Sequence, residues 1–228
     1  MLKAVQFGGT MPTKSESPVI DGRMVRGNRT RKQLLDAALQ LFGTKGFDAT
    51  SMKDLAESAG VRAPSIYNHF ASKESILAAA LVAGLTKFQA YVMGPDNPAE
   101  SGLQRLEGVV RRHIVWQTYG TGSVRAADKL LESIAAGEIL TVSARHNIDE
   151  LLLRYREFVD GLIDELKSSS DLDLPATRVC TSAVLMFCDR AHSLHGPDAD
   201  VDRRQIEDEG WTLVSGMLGL RSVRLPMN

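Results

Sequence analysis

The stretch Thr50–Lys73, TSMKDLAESAGVRAPSIYNHFASK, decides the fold. Ser51 and Asp54 stand at capping-box spacing, and Met52, Leu55, Ala56 and Ala59 follow with helical period. Gly60 permits a sharp turn. Pro64 sits where a first-turn proline is tolerated, so a second short helix is expected from Arg62 or Ala63 to Phe70. Val61, Ile66 and Phe70 would face inward. Two short helices joined by a tight turn are the layout of a helix-turn-helix, which sets its second helix in the DNA major groove.

The groove admits one α-helix, and the leading residues of that helix approach the base edges. Here these are Arg62, Ala63, Pro64 and Ser65. Arg62 can donate two hydrogen bonds to guanine, Ser65 can read either partner of a pair, and Ala63 or Pro64 can touch a thymine methyl. Tyr67, Asn68 and His69 carry polar tips suited to phosphate oxygens, and Lys73 adds a cation. Thr50 and Ser51 offer hydroxyls and free backbone N–H groups at a helix N-terminus, an anion site.

Outward from this element, the pattern is helical and an all-α fold of about nine helices is expected. Residues 1–27 mix Gly, Ser, Thr and Pro with Lys14, Arg23 and Arg26 and read as a flexible arm. A first helix is expected from Thr30, at capping-box spacing from Gln33, to Lys45, with Gly46 after it. A fourth runs from Ser72 towards Met93 and stops before Gly94-Pro95-Asp96-Asn97-Pro98. Five more are expected at about 101–119, 123–138, 142–169, 175–194 and 202–220. No stretch alternates with period two, so no sheet is expected. The division is an arm (1–27), a three-helix head (28–88) and a helical body (89–228).

Charge follows the same division. Met1–Lys73 carries 11 Lys and Arg against 6 Asp and Glu, while Glu74–Asn228 carries 16 against 22. A basic head on an acidic body suits contact with DNA through the head. The N-terminus lacks the apolar core of a secretory signal, and the longest apolar run, Ile76–Leu85, is about half of what a membrane span needs. A cytoplasmic location and no membrane partner are expected. Cys180 and Cys188 lie two helical turns apart, roughly 12 Å, too far for a disulfide, and read as buried thiols. Asp189, His192 and His195 share helical spacing but lack a further ligand, so no metal is expected. No phosphate loop or nucleophile elbow is present, so neither an enzyme nor a cofactor is expected.

The run Phe42, Gly46, Phe47, Thr50, Ser51, Met52, Leu55, Ala56, Ala59, Gly60, Val61, then Ser65-Ile66-Tyr67-Asn68-His69-Phe70, Ser72-Lys73-Glu74 and Leu77, resembles the DNA-binding domain of the TetR family of bacterial transcriptional regulators. The likeness covers roughly residues 28–80. It implies a three-helix head, a ligand-binding and dimerising body, and repression relieved by a small effector. Carried over by position, Thr50, Arg62, Ala63, Ser65, Tyr67, His69 and Lys73 resemble the DNA-contacting set. Arg62 departs from the pattern, since a small hydroxyl residue is frequent there.

The resemblance also implies a homodimer on a double-stranded DNA operator, each subunit giving its last two helices to a four-helix bundle. Val179, Ala183, Met186, Phe187, Arg190 and Ala191 recur at helical spacing on one, and Ile206, Leu213, Val214, Met217 and Leu218 on the other. The same residues fit a core within one chain. A pocket in the body would be lined by apolar and aromatic groups: Phe88, Tyr91, His113, Trp116, Gln117, Tyr119, Leu152, Tyr155, Phe158, Met186 and Phe187 are candidates. The C-terminal pattern resembles members controlling lipid or acyl-CoA catabolism, which implies a sizeable apolar effector such as an acyl thioester. The rival reading is an architectural or cell-cycle DNA-binding protein without an effector.

Overall fold

Hydroxyl caps start most of the helices. In the computed structural model of the chain, Ser51, Ser72, Ser101, Thr141 and Asp202 each accept a hydrogen bond from the backbone N–H three residues on. Such caps satisfy N–H groups that a helix start leaves unpaired. The structure describes residues 22–120, 139–195 and 201–220, together with 124, 127, 130 and 131. Among these there is no strand.

The helices are α1 (Gly22–Lys45), α2 (Met52–Ser58), α3 (Ala63–Tyr67), α4 (Lys73–Val92), α5 (Gly102–Tyr119), α6 (Val142–Ser169), α7 (Thr177–Asp189) and α8 (Arg203–Met217), with a 3-10 turn at Ala191–Ser193. The helix expected at 123–138 lies mostly outside the described residues, as does most of the arm.

Three boundaries differ from the sequence reading. α1 begins at Gly22 rather than near Thr30, so Thr30 and Gln33 lie inside the helix and cap nothing. The added turns project beyond the core, with Asn28 and Arg29 exposed, and leave no apolar period to read. α3 ends at Tyr67 rather than Phe70, because the Asn68 N–H turns back to Ser65 and Ile66 carbonyls. α7 ends at Asp189 rather than near 194; the tighter turn that follows carries Ala191 into the core.

Two apolar clusters result. The first joins Leu34, Ala38 and Phe42 of α1 to Leu55, Ile66, Phe70 and the α4 residues Ile76, Leu77 and Leu81; it also takes in Leu140 and Ile148. The second joins Val92, Leu106, Val110 and Ile114 to Tyr155, Val159 and Leu162 of α6, Val184 and Cys188 of α7, and Ile206 and Val214 of α8. Full burial of each such aliphatic side chain contributes about 1.5–3 kcal/mol. Both cysteines are buried free thiols.

α4 connects the two clusters. At 20 residues it spans about 30 Å. Its length and composition would suffice to cross a membrane, yet it packs on α1 at one end and α6 at the other. Its buried Gln89 donates to the Leu151 carbonyl of α6.

Candidate DNA-reading face and body core

Gly60 makes the turn between α2 and α3. Its φ of +67° is one that L side chains rarely adopt, and an added Cβ would meet nothing within 4 Å. Conformation, not space, therefore selects glycine. Val61 N–H returns to the Ala56 carbonyl at 2.9 Å, and Arg62 then occupies the N-cap of α3 without a side-chain capping bond. Ile66 and Phe70 are buried, as expected, while Arg62, Ala63, Pro64, Tyr67 and Asn68 are exposed and Ser65 and His69 half-buried. Phe70 packs beneath the Arg31 guanidinium, 5.2 Å from its ring centre. α3 thus presents one outward ridge with a cation at its head.

The flanking candidates are bound into the fold. Thr50 is only 1 % exposed, and its hydroxyl donates to the Gly46 carbonyl at 2.7 Å. Ser51 is exposed, but its hydroxyl accepts from Asp54 N–H at 3.1 Å while Asp54 Oδ2 accepts from Ser51 N–H at 2.8 Å. Lys45 lies 2.7 Å from the same carboxylate. The Lys45 hydrogen bond, then the Ser51 bonds, hold the Asp54 carboxyl far below the usual carboxylate range. Lys73 donates to the Phe47 carbonyl at 2.7 Å and, more weakly, to that of Asp48 at 3.4 Å. Its ammonium stands 4.3 Å above the Phe47 ring. Sequence reasoning did not find this clasp, because nothing in the spacing of Phe47 and Lys73 announces it.

In the body, six of the pocket candidates converge. Phe88 of α4 stands edge-on to His113, Trp116 and Tyr155, at 4.8, 5.8 and 4.9 Å between ring centres. Tyr91 lies 5.4 Å from Trp116. Tyr155 Oη is 3.1 Å from His113 Nδ1, and burial pushes the Tyr155 phenol well above its ordinary pKa. Gln117 is buried one turn along α5 from His113. Phe158 and Phe187 pack at the edge of the same core.

The other candidates point elsewhere. Met186 is 70 % exposed and Leu152 is exposed, so neither lines the interior. Tyr119 is also exposed, its hydroxyl donating to the Val201 carbonyl at 3.0 Å. α7 is apolar on two sides: Cys180, Thr181, Val184 and Cys188 face inward, Val179 and Met186 outward. The predicted dimer seam is corrected in the same way. Ile206 and Val214 lie in the protomer's own core, whereas Leu213 and Met217 remain exposed beside Val179 and Met186, with Ala183 half-buried and Arg190 exposed. Among the described residues no group of three His, Cys, Asp or Glu is arranged to hold a metal ion.

With this geometry in place, comparison with known proteins is informative. Residues 34–80 match the model of the bacterial regulatory proteins, tetR family. The chain is 35 % identical over 86 residues to the transcriptional repressor KstR2 of Mycobacterium tuberculosis, a match covering 36 % of this chain and 41 % of that protein. The chain thus spans about two fifths of the length of this relative. In fold, it resembles a regulatory protein of the tetR family from Rhodococcus RHA1 (TM-score 0.72, 20 % identity, 83 % of this chain and 96 % of that one). It also resembles AibR in complex with isovaleryl coenzyme A and operator DNA (TM-score 0.68, 22 % identity, 84 % and 97 %). Through the head built by α1–α3 and the start of α4, the chain belongs to the tetR family of bacterial regulatory proteins.

Proposed function

We propose that this protein is a homodimeric, sequence-specific DNA-binding repressor, released from its operator by a small apolar effector held in the body. The observation that carries this reading is the outward ridge of α3, headed by an unburied arginine and backed by Ile66 and Phe70. Arg62, Ala63, Pro64 and Ser65 read base edges. Tyr67, Asn68, His69 and the backbone at Ser51 meet phosphates, and Lys73 meets one with the N–H that its clasp leaves over. Thr50 supports the turn from within. The head comprises residues 28–88 and the body 89–228, with the arm before them, and the protein works in the cytoplasm.

Two heads are needed because one covers only a few base pairs, and half-sites recur one helical turn apart or a multiple of it. Val179, Ala183, Met186, Leu213 and Met217 supply the pairing surface. The effector acts by binding more tightly to a dimer whose head separation no longer matches the half-sites, so operator affinity falls by that difference. The AibR complex, which holds both an acyl thioester and operator DNA, supports an effector of this kind.

The test is footprinting of the full chain against genomic fragments, followed by titration of the recovered site with the Arg62→Ala protein. Loss of discrimination worth about 1–3 kcal/mol at one base pair per half-site is expected. Binding that shows no site preference at any salt concentration would refute the reading.

A further inference from the structure

Four polar side chains in the body are buried with atoms that make no hydrogen bond: His113 Nε2, Gln117 Oε1, Thr118 Oγ1 and Thr181 Oγ1. His113 and Thr181 are 2 % and 0 % exposed. Buried polar groups are almost always paired, so a cluster of unpaired ones inside an apolar core points to a partner that comes from outside the chain. His113 is central to it. Its Nδ1 faces the Tyr155 hydroxyl, and burial keeps that phenol protonated, so the hydroxyl donates and Nδ1 accepts. Nε2 then carries the imidazole proton. Asp189 Oδ1 lies 3.1 Å from Nε2, without the alignment of a hydrogen bond. The N–H is therefore open to an incoming acceptor, with a carboxylate standing beside it.

That neighbour restricts what the acceptor can be. A carboxylate brought to His113 would face Asp189 in a poorly hydrated site, where like charges repel strongly. Arg112, the cation that acts on Tyr155, is turned away: its Nε donates to the Val92 carbonyl at 2.7 Å. An uncharged carbonyl accepts from Nε2–H without that repulsion. Phe88, Trp116 and Tyr91 around it supply an apolar wall.

We propose that the body recognises an uncharged carbonyl (thioester, amide, ester or ketone) on an apolar skeleton through His113 Nε2–H, and that Asp189 excludes the corresponding free acid. This rests on the effector-controlled reading above and adds the chemical class that the site selects. Thioester and ketone sources share the chemistry, and the test separates them.

The experiment uses the full dimer with chain-matched sets at four, eight and sixteen carbons: the free acid, the primary amide, the methyl ketone and the coenzyme A thioester. Melting temperature and release of the operator are read for each, with coenzyme A alone as a control. At the preferred length, the uncharged members should bind at least about tenfold more tightly than the acid, a difference of 1.4 kcal/mol. A response confined to the thioester assigns the acyl-carrier source, and one shared by amide and ketone assigns the carbonyl itself; both support the proposal. Asp189→Asn, at a side chain more than half exposed, should admit the acid, and His113→Phe should abolish the preference. Circular dichroism confirms that each variant is folded. If the acid binds as well as the amide, or if folded His113→Phe keeps the preference, the carbonyl inference is overturned while the effector reading stands. If no compound shifts melting or releases the operator, both fall.

Discussion

Replacing Lys73 by methionine keeps the alkyl stem and removes the ammonium, and its effect can be worked from the clasp. The ammonium donates to the Phe47 carbonyl at 2.7 Å in a half-buried setting; hydrogen bonds from charged groups are worth about 1.5–3 kcal/mol. Its position over the Phe47 ring adds about 0.5–1 kcal/mol at an exposed site. Methionine retains some packing against that ring, and the bared carbonyl lies near enough to the surface to find water. Lys73→Met should therefore destabilise the protein by about 2 kcal/mol, the lower half of the combined range. Denaturant unfolding at fixed dimer concentration measures this. The same variant should also make the salt dependence of operator binding shallower by about 0.9 in the log–log slope, one phosphate contact per head lost. A loss of less than about 0.5 kcal/mol, within the range of an ordinary surface change, would refute the clasp. An unchanged slope would refute the phosphate contact independently.

Other perturbations test other links. The Asp54 carboxyl is depressed on folding, so its contribution is fully present above the unfolded value of about 3.9. It is lost as acid carries the pH through and below that value; the melting temperatures of the protein and of Asp54→Asn should converge only at that acidic end. An added Cβ at Gly210 would lie 2.3 Å from Ile114 Cδ1 and 3.5 Å from its Cγ1. Gly210→Ala should therefore cost about 1–3 kcal/mol by overpacking, and Ile114→Val, which removes Cδ1, should recover most of it in the double variant. Leu213→Glu places a charge on the exposed stripe of α7 and α8; sedimentation should show monomer and operator titration a loss of affinity, with helix content unchanged.

The head and body are not independent units. α4 runs through residue 88, and Leu140 and Ile148, which follow the body helices in sequence, pack in the same cluster as Leu34 and Ile66 of the head. Gln89 adds a buried bond between α4 and α6. A shift of α6 relative to α5 would thus displace the floor of the head itself. Close-packed interiors yield in discrete steps rather than by gradual deformation, which is the property that a release mechanism needs.

What the sequence revealed, and what it hid, follows from how many roles a residue type can fill. Ser51 with Asp54, Gly60, and the Ile66–Phe70 spacing each have one local meaning, and the turn, the cap and the inward face stand where those residues placed them. Apolar residues on α7 and α8 have three: protomer core, effector wall and subunit seam all call for leucine, methionine and valine at helical spacing. Val214 and Leu213 are neighbours of similar chemistry, yet one is wholly buried and the other about half exposed. Only the azimuth of α8 against α5 separates them, and that azimuth is set by contacts such as Gly210 on Ile114. The clasp of Lys73 on Phe47 spans 26 residues, and the meeting of His113 with Tyr155 spans 42. Neither leaves a periodic trace. The groups on which selectivity depends in this protein are therefore those whose partners are brought together by topology, and they become visible once the packing angles of the body helices are known.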